Sequence, residues 1–167
     1  MKGLLLITAA LVAALSLGVG LSSALAASHS GVNVGVASSG LGNVLVDGRG
    51  HTLYLFEQDK QGKSACSGKC ASLWPPLIAS GKPLAAGGAK ASLLGTVKRA
   101  DGRLQVIYGH HPLYTFVKDT KKGQTNGEGF GDQWYAVSAA GDKVTQDHAS
   151  SGGGADPAPG GGYGSGY

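Results

Sequence analysis

Two nine-residue stretches hold most of the side chains in this sequence that could do chemistry: HTLYLFEQD over 51–59 and HPLYTFVKD over 111–119. Both read Tyr, any residue, Phe, two residues, Asp, which gives Tyr54, Phe56 and Asp59 and then Tyr114, Phe116 and Asp119. A pair of tyrosines could line a ligand surface. His51 and His111, which open the two copies, could converge on a metal ion. Zinc sites usually combine a close ligand pair with a second cluster, and that pattern is missing here, so histidines at exposed hairpins are the plainer expectation. On a strand, side chains alternate, so Tyr54 and Phe56 share one face while Leu53 and Leu55 share the other. Both faces are then apolar. That favours a central strand with packed aromatics, and an aspartate that accepts N–H bonds from the loop after it.

Cys66 and Cys70 are the only cysteines. An even pair in an exported chain normally closes a disulfide, and so short a loop should add only about 2 kcal/mol by closure entropy. A helical turn over 64–73 would place the pair at i and i+4, near the limit of reach. The competing chemistry is a thiol redox or copper site, because soft thiolates select Cu(I). The second copy has Asn126 and Phe130 at the matching positions, so the pair belongs to one copy alone. The stretch 119–132 sets Asp119, Asn126, Glu128 and Asp132 among glycines but lacks the alternating acidic spacing of calcium loops, and Lys121 and Lys122 intrude. A plain Gly-rich connection is expected. No Gly-x-Ser-x-Gly elbow or phosphate-cradling loop occurs, and Glu57 with Asp59 at a strand end makes no glycosidase pair. Neither a catalytic set nor a cofactor is expected.

These side chains need elements to hold them. GVNVGVA over 31–37 alternates valine with small or polar residues, the period of a half-buried strand. A turn at 38–40, a strand over 43–46, a hairpin signal DGRG over 47–50 and a strand from His51 complete a three-stranded meander. The second half copies the first at an offset of sixty: Gly95 answers Gly35, Val106 answers Val46, Leu113 answers Leu53 and Trp134 answers Trp74. Strands are expected near 94–99, 103–108, 112–117 and 134–137. Trp74 opens WPPL, where two prolines cannot donate to a ladder and an irregular segment should follow. The small-residue stretch 78–92 reads as a mobile connection between copies.

Small isolated sheets are marginal in water, and packing two apolar faces together cures this. The expected fold is therefore all-β and mainly antiparallel. It consists of two tandem meander repeats, 31–90 and 91–150, packed with pseudo-two-fold symmetry into one domain over 27–149. SSGGGADPAPGGGYGSGY over 150–167 is low-complexity and should be a disordered tail.

Met1-Lys2, the apolar run over 4–21 and Ala24-Leu25-Ala26 form a secretory signal peptide over 1–26. No cysteine lies near its cleavage site, and no later apolar run is long enough to span a bilayer. The product is thus expected outside the cytoplasm: secreted, periplasmic or at the surface. Removing Lys2 leaves 14 − 1 = 13 basic residues against 10 acidic ones. The lysines are scattered, unlike the basic stripe of a nucleic-acid binder, which leaves a cell-envelope component or another exported protein as the partner class.

Tandem Tyr-x-Phe-x-x-Asp copies behind a signal peptide resemble a bacterial secreted-repeat family whose members are often described as lipoproteins with a Tyr-x-aromatic-x-x-Asp motif and are of unknown function. DGRGHTLYLF, CSGKCASLWPPL, GHHPLYTFVKD and WYAVS, in that order over roughly 43–138, carry the resemblance. It implies an extracytoplasmic, non-catalytic module and supplies no activity or cofactor. This chain departs from the lipoprotein-like members in lacking a lipid-bearing cysteine.

Overall fold

A computed structural model describes residues 31–60 and 62–145. The signal segment, the linker before residue 31, His29, His148 and the tail over 150–167 lie outside the described residues. In chain order the elements are β1 (Asn33–Ser39), β2 (Gly42–Asp47), β3 (Tyr54–Phe56), α1 (Lys69–Leu73), β4 (Leu84–Ala85), a 3-10 turn (Ala91–Leu93), β5 (Leu94–Lys98), β6 (Leu104–Tyr108), β7 (His111–Pro112) and β8 (Trp134–Ala136). The expected all-β class holds, with one short helix. Pairing is antiparallel except where β4 lies parallel to β1.

The two repeats are built alike. β1 and β2 form a hairpin, and Thr52 bridges to Val46 to close the first meander. β5, β6 and β7 form the second. Each meander is extended by chain from the C-terminal part of its repeat or of the other one. Leu45 N donates to Val137 O at 2.7 Å and Leu45 O accepts from Leu53 N at 2.9 Å; Val106 N donates to Leu77 O at 2.8 Å and Val106 O accepts from Leu113 N at 2.9 Å.

These bonds correct the uniform offset. Val106 makes the bonds of Leu45, not those of Val46, although Leu113 still answers Leu53. The cause is a compensated pair of length changes. The pairing Ser38↔Asn43 has Lys98↔Leu104 as its counterpart, one residue longer, and Val46↔Thr52 has Ile107↔Pro112, one residue shorter. The shorter turn is Gly109-His110, with φ of 54° and 73°. Two consecutive positive φ values define the turn that best matches strand twist, and glycine takes the first without strain.

Two further expectations need correction. The 78–92 segment is docked rather than a loose connection: Leu84 N donates to Val32 O and Ala86 N to Val34 O, both at 2.9 Å, so β4 covers the free edge of β1. Unpaired edge groups need partners, and this stretch supplies them. The helical turn expected over 64–73 forms only over Lys69–Leu73, because Gly68 ahead of it takes a φ of 53°. Cys66 therefore lies outside the helix. WPPL is irregular, as two prolines require, yet Pro76 still bridges to Tyr114.

The core has two parts, one on each face of the strand through residues 53–56. Tyr54 and the half-buried Phe56 join Val44, Trp74, Phe116 and Trp134 on one side. Leu53 and Leu55 join Val34, Val106, Leu113 and Val137 on the other. The strand is covered on both faces, as its two apolar faces predict.

Candidate functional site

Tyr54 and Tyr114 face each other across the two repeats. Tyr54 N donates to Tyr114 O at 2.9 Å and Tyr114 N donates to Tyr54 O at 3.0 Å, so each residue pairs with its own counterpart. Their hydroxyls then cross over. Tyr54 OH donates to Asp119 Oδ2 at 2.6 Å, and Tyr114 OH donates to Asp59 Oδ2 at 2.7 Å. Each tyrosine therefore bonds the aspartate of the other repeat. The second oxygens fasten loops: Asp59 Oδ1 accepts from Ala65 N at 2.7 Å, and Asp119 Oδ1 accepts from Asn126 N at 2.9 Å and from Asn126 Nδ2 at 3.0 Å. The loop-capping role expected of both aspartates is present, and a cross-repeat latch comes with it.

The aromatic residues of the motif stack beside this latch. Phe56, Trp134, Trp74 and Phe116 follow one another with centroids 4.2, 3.9 and 4.2 Å apart and interplanar angles of 12°, 2° and 22°. Tyr54 meets Trp74 edge-on at 5.3 Å and Tyr114 meets Trp134 edge-on at 5.1 Å. Edge-on and offset contacts of this kind add about 0.5–1.5 kcal/mol each beyond area burial. The disulfide Cys66–Cys70 closes with Cα atoms 5.3 Å apart and packs on this cluster. In the second repeat Phe130, at the position of Cys70, packs its ring on Trp74 and Phe116 instead. Both cysteines being joined, neither offers a thiolate to a copper ion.

Tyr54 and Tyr114 are both 0 % exposed and belong to the packed core. Burial first, and then the Asp119 carboxylate, push the Tyr54 hydroxyl well above the ordinary tyrosine range. Burial and the Asp59 carboxylate do the same to Tyr114. With folded pKa values above unfolded ones, this contribution to stability is complete below about pH 10, where unfolded tyrosine titrates, and is lost as pH rises beyond it. In an absorbance titration Tyr54 and Tyr114 are expected to stay protonated until the domain unfolds. Replacing both by phenylalanine is expected to remove that late phase.

The latch leaves no room above Tyr54. Gly127 N donates to Tyr54 OH at 3.3 Å, and a Cβ at Gly127 would stand 2.6 Å from Trp74 Cη2 and 2.9 Å from Tyr54 Cζ. Gly127→Ala is therefore expected to cost about 1–3 kcal/mol of stability through overpacking, measured as a lower urea midpoint.

The histidines are kept apart in role. His51 Nδ1 lies 3.3 Å from Asp47 Oδ2 in the first hairpin. His111 is half-buried and lines a hollow of about 320 Å³ with Glu57, Asp59, Asp142 and Lys143. Burial lowers its pKa against the pull of Asp142 and Asp59, and burial likewise raises that of Asp59. Lys143 Nζ pairs with Glu57 Oε1 at 2.8 Å across this hollow. Among the described residues, no group of three or more His, Cys, Asp or Glu is placed to hold a metal ion. Asp119, a candidate in the Gly-rich loop, has its oxygens engaged by Tyr54 and Asn126.

Reading the sequence missed Arg99. Its guanidinium ties Ser64 Oγ and Cys66 O, both at 2.7 Å, and Gln105 Oε1 into one network, and the Ser64 hydroxyl in turn donates to Tyr114 OH at 2.7 Å. A loop arginine beside a turn carries no periodic signal; only its lack of a counterpart in the first repeat marked it.

The geometry defines an all-β domain made from two copies of one unit, in which the residues shared by both copies join them. The chain belongs to the family described as a secreted repeat of unknown function, which matches it twice, over residues 35–78 and 95–138. No curated protein and no solved structure gives a match. Among the described residues, no helix is long and apolar enough to cross a membrane.

Proposed function

We propose that this chain is an exported cell-envelope module with a binding or structural role and no catalytic activity of its own. Its two repeats are related by a pseudo-two-fold axis passing between Tyr54 and Tyr114. The observation that carries this reading is the use of the shared motif. Tyr54 bonds Asp119 and Tyr114 bonds Asp59, each across the repeats. A catalytic or ligand-contacting motif would keep at least one polar group free for its substrate. The family's description as secreted supports the compartment, as does the closed Cys66–Cys70 bridge.

Two measurements test it. The mature protein recovered outside the cytoplasm should begin at Ala27, and a chain retained inside with residues 1–26 attached would contradict export. Purified mature protein should co-sediment with isolated envelope material, and full recovery in the supernatant at low salt would contradict an envelope role.

A further inference from the structure

The side chains that break the repeat lie together. Cys66 and Cys70 have no counterparts in the second repeat, where Asn126 and Phe130 stand. Arg99, Asp101 and Arg103 have none in the first, whose turn at 39–42 reads Ser-Gly-Leu-Gly. Cys66, Arg99, Asp101 and Arg103 border one hollow of about 480 Å³, together with Ser64, Ser67 and Ser72.

Arg99 is an unusual loop cation. Its side chain is 5 % exposed, and its two terminal nitrogens are fixed by Ser64, Gln105 and Cys66. Its Nε is buried and makes no hydrogen bond. Asp101 Oδ2 approaches that nitrogen only to 3.6 Å, because the same oxygen accepts from Arg103 Nε at 3.1 Å and Arg103 NH2 at 2.7 Å. An N–H of a buried charged group without an acceptor is costly. Asp101 thus stands between two guanidinium groups where an oxyanion would sit, while satisfying only one of them. Its side chain is 42 % exposed and that of Arg103 is 56 % exposed, so both can move without disturbing the core.

We propose that this hollow is a phosphate-binding site, in which a ligand phosphate displaces Asp101 from between Arg99 and Arg103. The free Nε–H of Arg99, the guanidinium fork of Arg103 and the hydroxyl of Ser67 offer donors from several directions. That suits a tetrahedral group, with oxygens on all sides, better than a planar carboxylate. The phosphate is borne by a small molecule or by an anionic polymer. The site gives the binding role proposed above a ligand chemistry, but its existence does not depend on the compartment.

The test is a titration of the full exported chain, disulfide intact, with inorganic phosphate at constant ionic strength, followed through the NMR signals of the arginine Nε–H groups. A saturable shift of the Arg99 signal is expected, with none on adding chloride. Asp101→Ala, which removes the resident carboxylate, should bind phosphate about tenfold more tightly, and Arg103→Ala about tenfold more weakly. Because Arg103 pairs only at the surface, its variant should melt close to the wild type. Glycerol phosphate and a dialkyl phosphate, run in parallel, distinguish a small monoester from the diester of a polymer. No saturable shift in either the wild type or Asp101→Ala overturns the site, as does binding that Arg103→Ala leaves unchanged. Acetate binding as tightly as phosphate overturns the phosphate assignment. A failure to export or to co-sediment would leave these shifts unaltered, so the two proposals fail separately.

Discussion

Trp74→Ala is expected to remove about 3–5 kcal/mol of stability, the range for truncating a buried aromatic residue to alanine. Trp74 is 2 % exposed and stacks between Trp134 and Phe116, while Tyr54 and Phe130 meet its ring edge-on. Removing it opens a cavity at the centre of the aromatic stack and takes support from both repeats at once. Marginal domains have only about 5–15 kcal/mol in total, so much of this one should be unfolded near its present midpoint. Urea denaturation followed by far-ultraviolet circular dichroism measures the loss. A cost below about 1.5 kcal/mol, as for a half-exposed residue, would mean that the stack does not hold the repeats together.

The second large effect separates two residues that the motif treats as equals. Asp119→Ala is expected to cost about 3 kcal/mol, because it leaves a buried tyrosine hydroxyl and the loop N–H groups of Asn126 without their charged acceptor. Asp119 is 5 % exposed. Asp59 is half-buried and borders the hollow beside His111, where water can replace its oxygens. Asp59→Ala is therefore expected to cost roughly half as much, about 1–2 kcal/mol. Equal costs for the two would contradict the difference in burial.

Much of this fold was legible in the residues because repetition and period agree. The alternation through Leu53, Tyr54, Leu55 and Phe56 put two apolar faces on one strand, and the two core clusters lie on those faces. WPPL announced its own irregularity through proline chemistry. The segment 78–92 misled because small residues and glycines read as a linker, while its place as the edge strand β4 is decided by where β1 leaves an unpaired edge. Val106 was matched to Val46 because aligned residues show only the net offset, and a longer turn followed by a shorter one cancels in it.

The site was less legible. Tyr54 and Asp59 are close in the chain, which suggests a local unit, but the hydroxyl reaches the aspartate 65 positions away. Nothing in a single repeat encodes that choice; it follows from the packing of two repeats back to back. Arg99 lay hidden for the opposite reason, being specific to one repeat and to no pattern.

The central claim is that the shared motif joins the repeats rather than meeting a ligand, and a double-mutant cycle tests it most directly. Tyr54→Phe and Asp119→Asn, made singly and together, should show a coupling of about 1–3 kcal/mol in urea unfolding, as for a hydrogen bond to a buried carboxylate. The same-repeat pair, Tyr54→Phe with Asp59→Asn, should be additive within about 0.5 kcal/mol. Coupling confined to the same-repeat pair, or absent from both, would contradict the latch.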